Sequence, residues 1–310
     1  MNMNLTIGWL QEHKELTGVV LGTAFGVTAR LLMLRSDYRQ YPAYPHGKVI
    51  HIALGIIASA LGAVAIPALY DKDYTALTFL TLAAQQFREV RNMERGTLTA
   101  IDELELVPRG AAYIEGISVV FEGRNYLSIF CALLVSLVVM ATNWWGGLIA
   151  GAFCIAIVIR FMQGTTIAHI AHVDKADVRL DGPDLYVGDV YIMNVGLDEN
   201  REIIASEGMG FILTPKNDDA RVTLANLGQR QAILHDVSTR LGVFRDDGDP
   251  ALLPIGKLAL KSGKLGLLFL PREKDQDKAY KAVTGVPLLE AAVRRPTKAN
   301  RKSTEGSAHG

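Results

Sequence analysis

Only two cysteines, Cys131 and Cys154, occur in 310 residues, and both fall inside apolar runs. That excludes a disulfide framework of the kind that staples small secreted domains, and both thiols read as small buried apolar side chains. An excess of one charge sign is missing as well. Thirty-two Lys and Arg offset 32 Asp and Glu, so bulk charge gives no sign of nucleic acid or of an acidic partner. No basic segment precedes the first apolar run and no small-residue cleavage site follows it, so that run reads as a retained helix rather than a secretory signal. The signatures of common enzymes are also absent. There is no G-x-x-x-x-G-K-[ST] phosphate loop and no H-E-x-x-H zinc helix. Gly116-Ile117-Ser118 lacks the next glycine of a nucleophile elbow, and Gly208-Met209-Gly210 does not continue into a dinucleotide fingerprint. Neither catalysis nor a cofactor is expected, and no internal repeat is visible.

Long apolar runs dominate what is present. They crowd residues 16–162, while charges spread evenly after about residue 173. A bilayer core about 30 Å thick takes about 20 apolar residues of helix. Residues 16–34 and 49–70 fit that length, and 74–87 is a shorter third candidate. Between Arg124 and Arg160 lie 35 residues without a charge. As one helix they would reach about 52 Å, too long for one crossing. Asn143-Trp144-Trp145-Gly146-Gly147 in the middle suits a turn at the headgroup level, which divides the run into spans 126–142 and 146–162. The fold class expected is a helical polytopic membrane domain of about five spans over 1–164, followed by a soluble α/β (α+β) domain over 165–295. A disordered polar tail is expected at 296–310.

Arg35, Arg39 and Lys48 fall in one connection, and Arg88, Arg91, Arg95, Arg109 and Arg124 in another. The connections 71–73 and 143–145 hold one basic residue and none. Cytoplasmic connections carry the basic excess. The expected topology is therefore a multi-pass protein of the cell membrane, with the N-terminus outside and the second half in the cytoplasm. Residues 88–107 read as a polar helix with charge pairs at helical spacing. Beyond 165, short β-branched runs at 178–180, 190–193 and 210–213 predict strands, with Asp181-Gly182 as a turn. Periodicity predicts a helix over 219–241 and a last helix over 275–295. Runs at 258–261 and 265–270 predict a hairpin.

Several residues invite a role. Gly18, Gly22 and Gly26 form a small-residue stripe on one helix face, which suits close helix packing within one bundle or between copies of the chain. Gly55, Ser59 and Ala63 repeat the spacing. Arg30 lies inside the first span; it either snorkels to the cytoplasmic end or pairs with a partner such as Glu115. Residues 108–125 are too short to span yet too apolar for an ordinary loop, which points to a re-entrant or interfacial element. Glu115 and Glu122, seven apart, would share one side of a helix. They would then bind a cation or relay protons, or simply face water. His169, His172 and Asp174 lack a third-ligand motif, so juxtamembrane histidines are the plainer reading and no metal is expected.

Tyr113-Ile114-Glu115-Gly116-Ile117-Ser118 resembles the hallmark of the YIEGIA family of bacterial membrane proteins, with Ser118 in place of the final alanine. The overall layout, membrane helices first and a soluble region after, is similar too. The resemblance implies a membrane complex of an endospore-forming bacterium, linked to sporulation and formed with a small, separately encoded capping subunit. It implies no reaction. Three functions remain in view: a membrane scaffold binding that subunit, a channel or transporter component using Glu115, and a membrane-embedded enzyme. The expected partners are the lipid bilayer, the small subunit and a second copy of the chain, with no nucleic acid.

Overall fold

The computed structural model describes residues 12–42, 45–162, 164–246, 249–250 and 253–293. The tail expected at 296–310 lies outside the described residues. Contacts divide the chain into two compact units, Met1–Arg95 with Ile117–Gly164 and Gly96–Gly116 with Thr165–Gly310.

The first unit is helical. Helices α1 (Lys14–Asp37), α2 (Pro45–Tyr70) and α4 (Ala111–Ala141) are each long and apolar enough to cross a membrane. Helix α3 (Tyr74–Asp102) is not among them, because its apolar first half gives way to Arg91, Glu94 and Arg95. Helix α5 (Trp144–Phe161) is apolar but only 18 residues long. The turn before it falls at Asn143, whose side-chain oxygen accepts the Gly146 N–H at 3.0 Å and caps the helix. Outward positions such as Val20, Ile57, Leu127, Phe130, Ile149 and Phe153 are large, apolar and exposed. Water would penalise that surface, and hydrocarbon would not.

Small residues set how closely the helices approach. A Cβ on Gly22 would come within 2.6 Å of the Ala132 carbonyl oxygen and 3.0 Å of the Ala63 Cβ. One on Gly26 would meet Ser59 Oγ at 2.7 Å and Ala132 Cβ at 2.9 Å. The stripe Gly18/Gly22/Gly26 thus faces α2 and α4 of the same chain. Serines bond across this seam. Ser59 Oγ and Ser128 Oγ lie 2.7 Å apart, and Ser128 Oγ donates to the Gly26 carbonyl at 3.1 Å. Pro67 sits inside α2 and has no N–H to offer the Ala63 carbonyl. Ser136 Oγ from α4 donates to that carbonyl at 2.8 Å instead, which replaces the missing bond.

The second unit is a mixed α/β body. After the short helix α6 (Ile167–Ile170) come β1 (Ala171–Ala176), β2 (Val178–Asp181), β3 (Asp184–Val187) and β4 (Val190–Asn194). Then follow α7 (Asp198–Glu207), β5 (Met209–Pro215), α8 (Asp218–Ala225), α9 (Leu227–Leu241), β6 (Arg245–Asp246) and β7 (Asp249–Pro250). Strands β8 (Ile255–Leu258) and β9 (Leu265–Phe269) precede α10 (Gln276–Thr284) and a 3-10 turn at Glu290–Ala292. One antiparallel sheet has the order β1-β5-β9-β8, and β2-β3-β4 form a meander. The two inner strands alternate toward opposite cores. Met209, Phe211, Leu213, Leu265, Leu267 and Phe269 join Leu224, Ile233, Val237 and Val283 of the helices. Ile212 and Leu268 join Leu185, Val190, Ile192 and Ile204 on the other side. Each fully buried Leu, Ile or Phe contributes about 1.5–3 kcal/mol relative to exposure.

Four local expectations differ from the structure. The first hairpin strand, expected over 258–261, is Ile255–Leu258, and residues 259–263 form the turn to β9. The helix expected over 219–241 is broken at Asn226, whose side-chain oxygen accepts the Gln229 N–H at 3.1 Å and starts α9. The last helix stops at Thr284, because Gly285 and Pro287 follow. The segment 108–125 is no separate re-entrant element: from Ala111 it forms the first turns of the 31-residue α4.

Candidate functional site

The densest group of buried charge lies in the first unit, at the Arg30 end of α1. Arg30 is 1% exposed. Its Nε donates to Asn125 Oδ1 at 2.8 Å and its Nη1 to Asp37 Oδ2 at 2.7 Å. Arg124 from α4 donates to the other Asp37 oxygen, and to the Met33 carbonyl at 3.0 Å. Arg30 therefore does not snorkel. Asp37, seven residues further along, supplies a carboxylate inside the bundle, and a paired charge there costs less than a lone one.

Phe121 links this group to a second. The Arg30 guanidinium carbon sits 4.5 Å from the Phe121 ring centroid, a cation–π arrangement. The His51 ring packs on the same phenyl with centroids 4.6 Å apart. His51 Nε2 lies 3.5 Å from Glu94 Oε2, which also accepts from the Tyr41 hydroxyl. His51 Nδ1 meets the Tyr38 hydroxyl at 3.1 Å. His51 thus stands between the Tyr38 hydroxyl and the Glu94 carboxylate. Among the described residues, two buried donors, Arg30 Nη2 and Asn125 Nδ2, have no acceptor.

Chemically, this group holds ionisable side chains away from water, with Tyr38, His51, Glu94 and Tyr41 set side by side. Sequence reasoning found Arg30 but missed Asp37, Tyr38, Tyr41, His51, Glu94, Arg124 and Asn125 as its companions. A signal was available for two of them, since His51 and Asn125 are polar residues inside apolar runs.

Residues 113–118 do other work. Residues Tyr113 to Gly116 belong to the second unit, although the sequence suggested that everything to 164 forms one domain. Local bonds account for this. Asp102 accepts the N–H groups of Arg109 at 2.6 Å and Gly110 at 3.0 Å. His235 Nδ1 lies 2.7 Å from the Val107 carbonyl oxygen. The Tyr113 N–H, one of the orphan donors of a helix start, reaches Gln231 Oε1 at 3.1 Å. The Tyr113 hydroxyl donates to Asp236 Oδ1 at 3.3 Å. A Cβ on Gly116 would press on Leu289 Cγ at 3.0 Å, and one on Gly228 would meet the Ala112 carbonyl oxygen at 2.7 Å. The motif is therefore occupied in seating the start of α4 against α9 and the segment after α10. Ile114 is buried there, while Ile117 and Ser118 are buried residues of the first unit.

Burial pushes the Asp236 carboxyl up to about 6, with Arg240, the Tyr113 hydroxyl bond and Arg109 pulling the other way. Burial lowers the neighbouring His235, although its bond to the Val107 carbonyl opposes this. Glu115 is half-buried in the second unit, whereas Glu122 lies in the first, 3.9 Å from Arg91. His169 is not paired with His172 on a helix: its Nδ1 accepts the Thr166 N–H at 3.2 Å, and His172 is exposed on β1 with Asp174. Among the described residues no group of three or more His, Cys, Asp or Glu could hold a metal ion.

A helical unit with three helices long and apolar enough to cross a membrane, in one chain with a mixed α/β unit, is compatible with a membrane protein. A family model described as YIEGIA protein matches residues 18–299, and the chain belongs to that family. It is 51% identical over 279 residues to the Uncharacterized protein YphB of Bacillus subtilis (strain 168), covering 90% of this chain and 94% of that protein. No solved structure matches the chain. Neither the family description nor the name of this relative assigns a reaction.

Proposed function

We propose that this is a multi-pass assembly protein of the cell membrane, whose second unit receives a small soluble capping subunit in a complex linked to sporulation. The carrying observation is an apolar hollow of about 280 Å³ between β4, α7 and β8, lined by Met193, Leu197, Ile204, Leu253, Ile255 and Leu268. Leu197 is 65% exposed and Leu253 49%. Such a hollow suits the apolar side chains of a protein partner better than a polar substrate. Five crossings, with the N-terminus outside and the second unit in the cytoplasm, fit the distribution of Lys and Arg. They require α5, about 27 Å long, and the apolar start of α3 to cross alongside the three longer helices.

The test is co-purification of the tagged full-length chain from native membranes in mild detergent, with mass measurement. A stoichiometric small protein is expected with the wild type, and its loss with Leu197→Glu or Leu253→Glu at unchanged elution of the chain. A wild type that reproducibly brings down no small protein refutes the proposal.

The buried charges of the first unit favour a second reading, a channel or transporter component. On that reading Glu94 and His51, rather than Glu115, would carry the ion or proton. Reconstituted wild type would then show a flux that Glu94→Gln abolishes, and absence of any wild-type flux rejects it.

A further inference from the structure

We propose that Arg30 and Asn125 hold a small monovalent anion of the halide class inside the first unit. Both side chains are more than nine-tenths buried, at 1% and 2% exposed. A hydrogen bond ties them together, with Arg30 Nε donating to Asn125 Oδ1 at 2.8 Å. That bond fixes the amide, because turning it over would set Nδ2 against the Nε donor. Arg30 Nη2 and Asn125 Nδ2 are then left without an acceptor among the described residues. The Nε and Nη2 hydrogens lie along one edge of a guanidinium, so Nη2 faces the side on which the amide sits. Two neighbouring buried donors therefore call for one acceptor, and leaving them unmatched is costly.

Charge points the same way. Arg30 and Arg124 both donate to Asp37, so two guanidiniums, which stay charged, share one carboxylate. Glu94 is engaged by Tyr41 and His51 instead. A water molecule is the plain alternative, but it brings two hydrogens that need acceptors of their own. Among the described residues of this unit, the buried side-chain atoms without a partner are all N–H donors, namely Arg30 Nη2, Asn125 Nδ2 and Trp144 Nε1. An ion that only accepts suits that surplus, and a single negative charge suits the guanidinium positive charge left over beside Asp37. Side chains this deeply buried favour a single atom over sulfate or phosphate. The inference is independent of both functional readings above.

The test uses the full-length protein in nanodiscs of zwitterionic lipid, prepared in sodium gluconate, whose anion is too large for the site. Chloride, bromide or sulfate replaces gluconate at constant ionic strength. Binding of radiolabelled chloride, melting temperature and hydrogen exchange are read. The wild type should bind one chloride per chain, release it to bromide but not to sulfate, and melt higher as chloride saturates. Exchange should slow in the peptides that contain Arg30 and Asn125. Asn125→Asp supplies an acceptor and a negative charge of its own, so it should melt alike in chloride and gluconate. Asn125→Ala should weaken chloride about tenfold or more by removing one bond to a charged group. Equal wild-type melting in chloride and gluconate would overturn the inference in favour of water. A sulfate effect equal to that of chloride would overturn it in favour of general screening. Slowed exchange only outside those two peptides, or chloride binding unchanged in both variants, would overturn it by putting the ion elsewhere.

Discussion

Replacing Asp236 by asparagine should stabilise the second unit at neutral pH and leave it unchanged in acid. Burial raises the Asp236 carboxyl from its ordinary 3.8 to about 6. The folded chain therefore holds this proton more tightly than the unfolded chain. The resulting stability is fully present below about pH 4 and is lost as the pH rises through 6. The gap of about two pH units corresponds to about 3 kcal/mol at 1.36 kcal/mol per unit. Asparagine reproduces the neutral acid, keeps an oxygen for the Tyr113 hydroxyl and has no charge to bury. Asp236→Asn should match the wild type near pH 4 and exceed it by up to about 3 kcal/mol near pH 8. For a body of this size that is a melting shift of about 6–12 °C. Hydrogen exchange of the β5 and β9 amides, in the full-length protein in nanodiscs, reads the unit directly. A variant less stable than the wild type at pH 8, or a difference that does not change between pH 4 and 8, would refute the reasoning.

Gly22→Leu should separate α1 from both neighbours, since even its Cβ would come within 2.6 Å of the Ala132 carbonyl oxygen; folded yield and melting temperature in detergent should both fall, by about 1–3 kcal/mol or more. Arg30→Met should cost about 3–5 kcal/mol by breaking a buried pair, lessened because Asp37 keeps Arg124; a cycle with Asp37→Asn that shows no coupling would contradict the cluster. Gly116→Val should destabilise the second unit by about 1–3 kcal/mol through overpacking against Leu289, and Leu289→Ala should recover part of the loss. Additive effects of those two changes would mean the residues do not touch.

Long-range order along the chain was legible where one physical period dominated. The uncharged stretch between Arg124 and Arg160 was too long for one helix, and the break fell at Asn143, where an amide side chain caps the next helix. The strands near 178, 190 and 210 and the second strand of the hairpin followed from short apolar runs and glycine turns, whereas the first hairpin strand lies at Ile255–Leu258, three residues before the expected 258–261. Boundaries failed where a cap competed with periodicity. The apolar spacing from Val222 to Leu241 continues through Asn226, so the break there depends on one side-chain oxygen that outweighs an uninterrupted stripe. The segment 108–125 misled for a related reason. Its apolar character points to a re-entrant or interfacial element, yet Tyr113 and Gly116 meet Asp236, Gln231 and Leu289, residues more than a hundred positions away.

The buried charge cluster shows why sites in such chains resist reading from one sequence. Arg30 alone is costly and has two escapes, reaching toward the headgroups or meeting a carboxylate. The first needs only length along its own helix. The second needs Asp37, Asn125 and Arg124 to converge, and that depends on Gly55 letting α2 lie against the Arg30 side chain, where a Cβ would meet Arg30 Cγ at 2.6 Å. The same absent side chain that allows the helices to touch therefore gives the arginine its inward path. Glu94 is legible in neither way: α3 looks like a solvated helix by composition, and only its packing beside Phe121 and His51 turns one of its glutamates inward. A charge on an apolar helix announces itself by contrast with its neighbours, whereas a buried charge on a polar helix has no such contrast and can be found only through the partners that surround it.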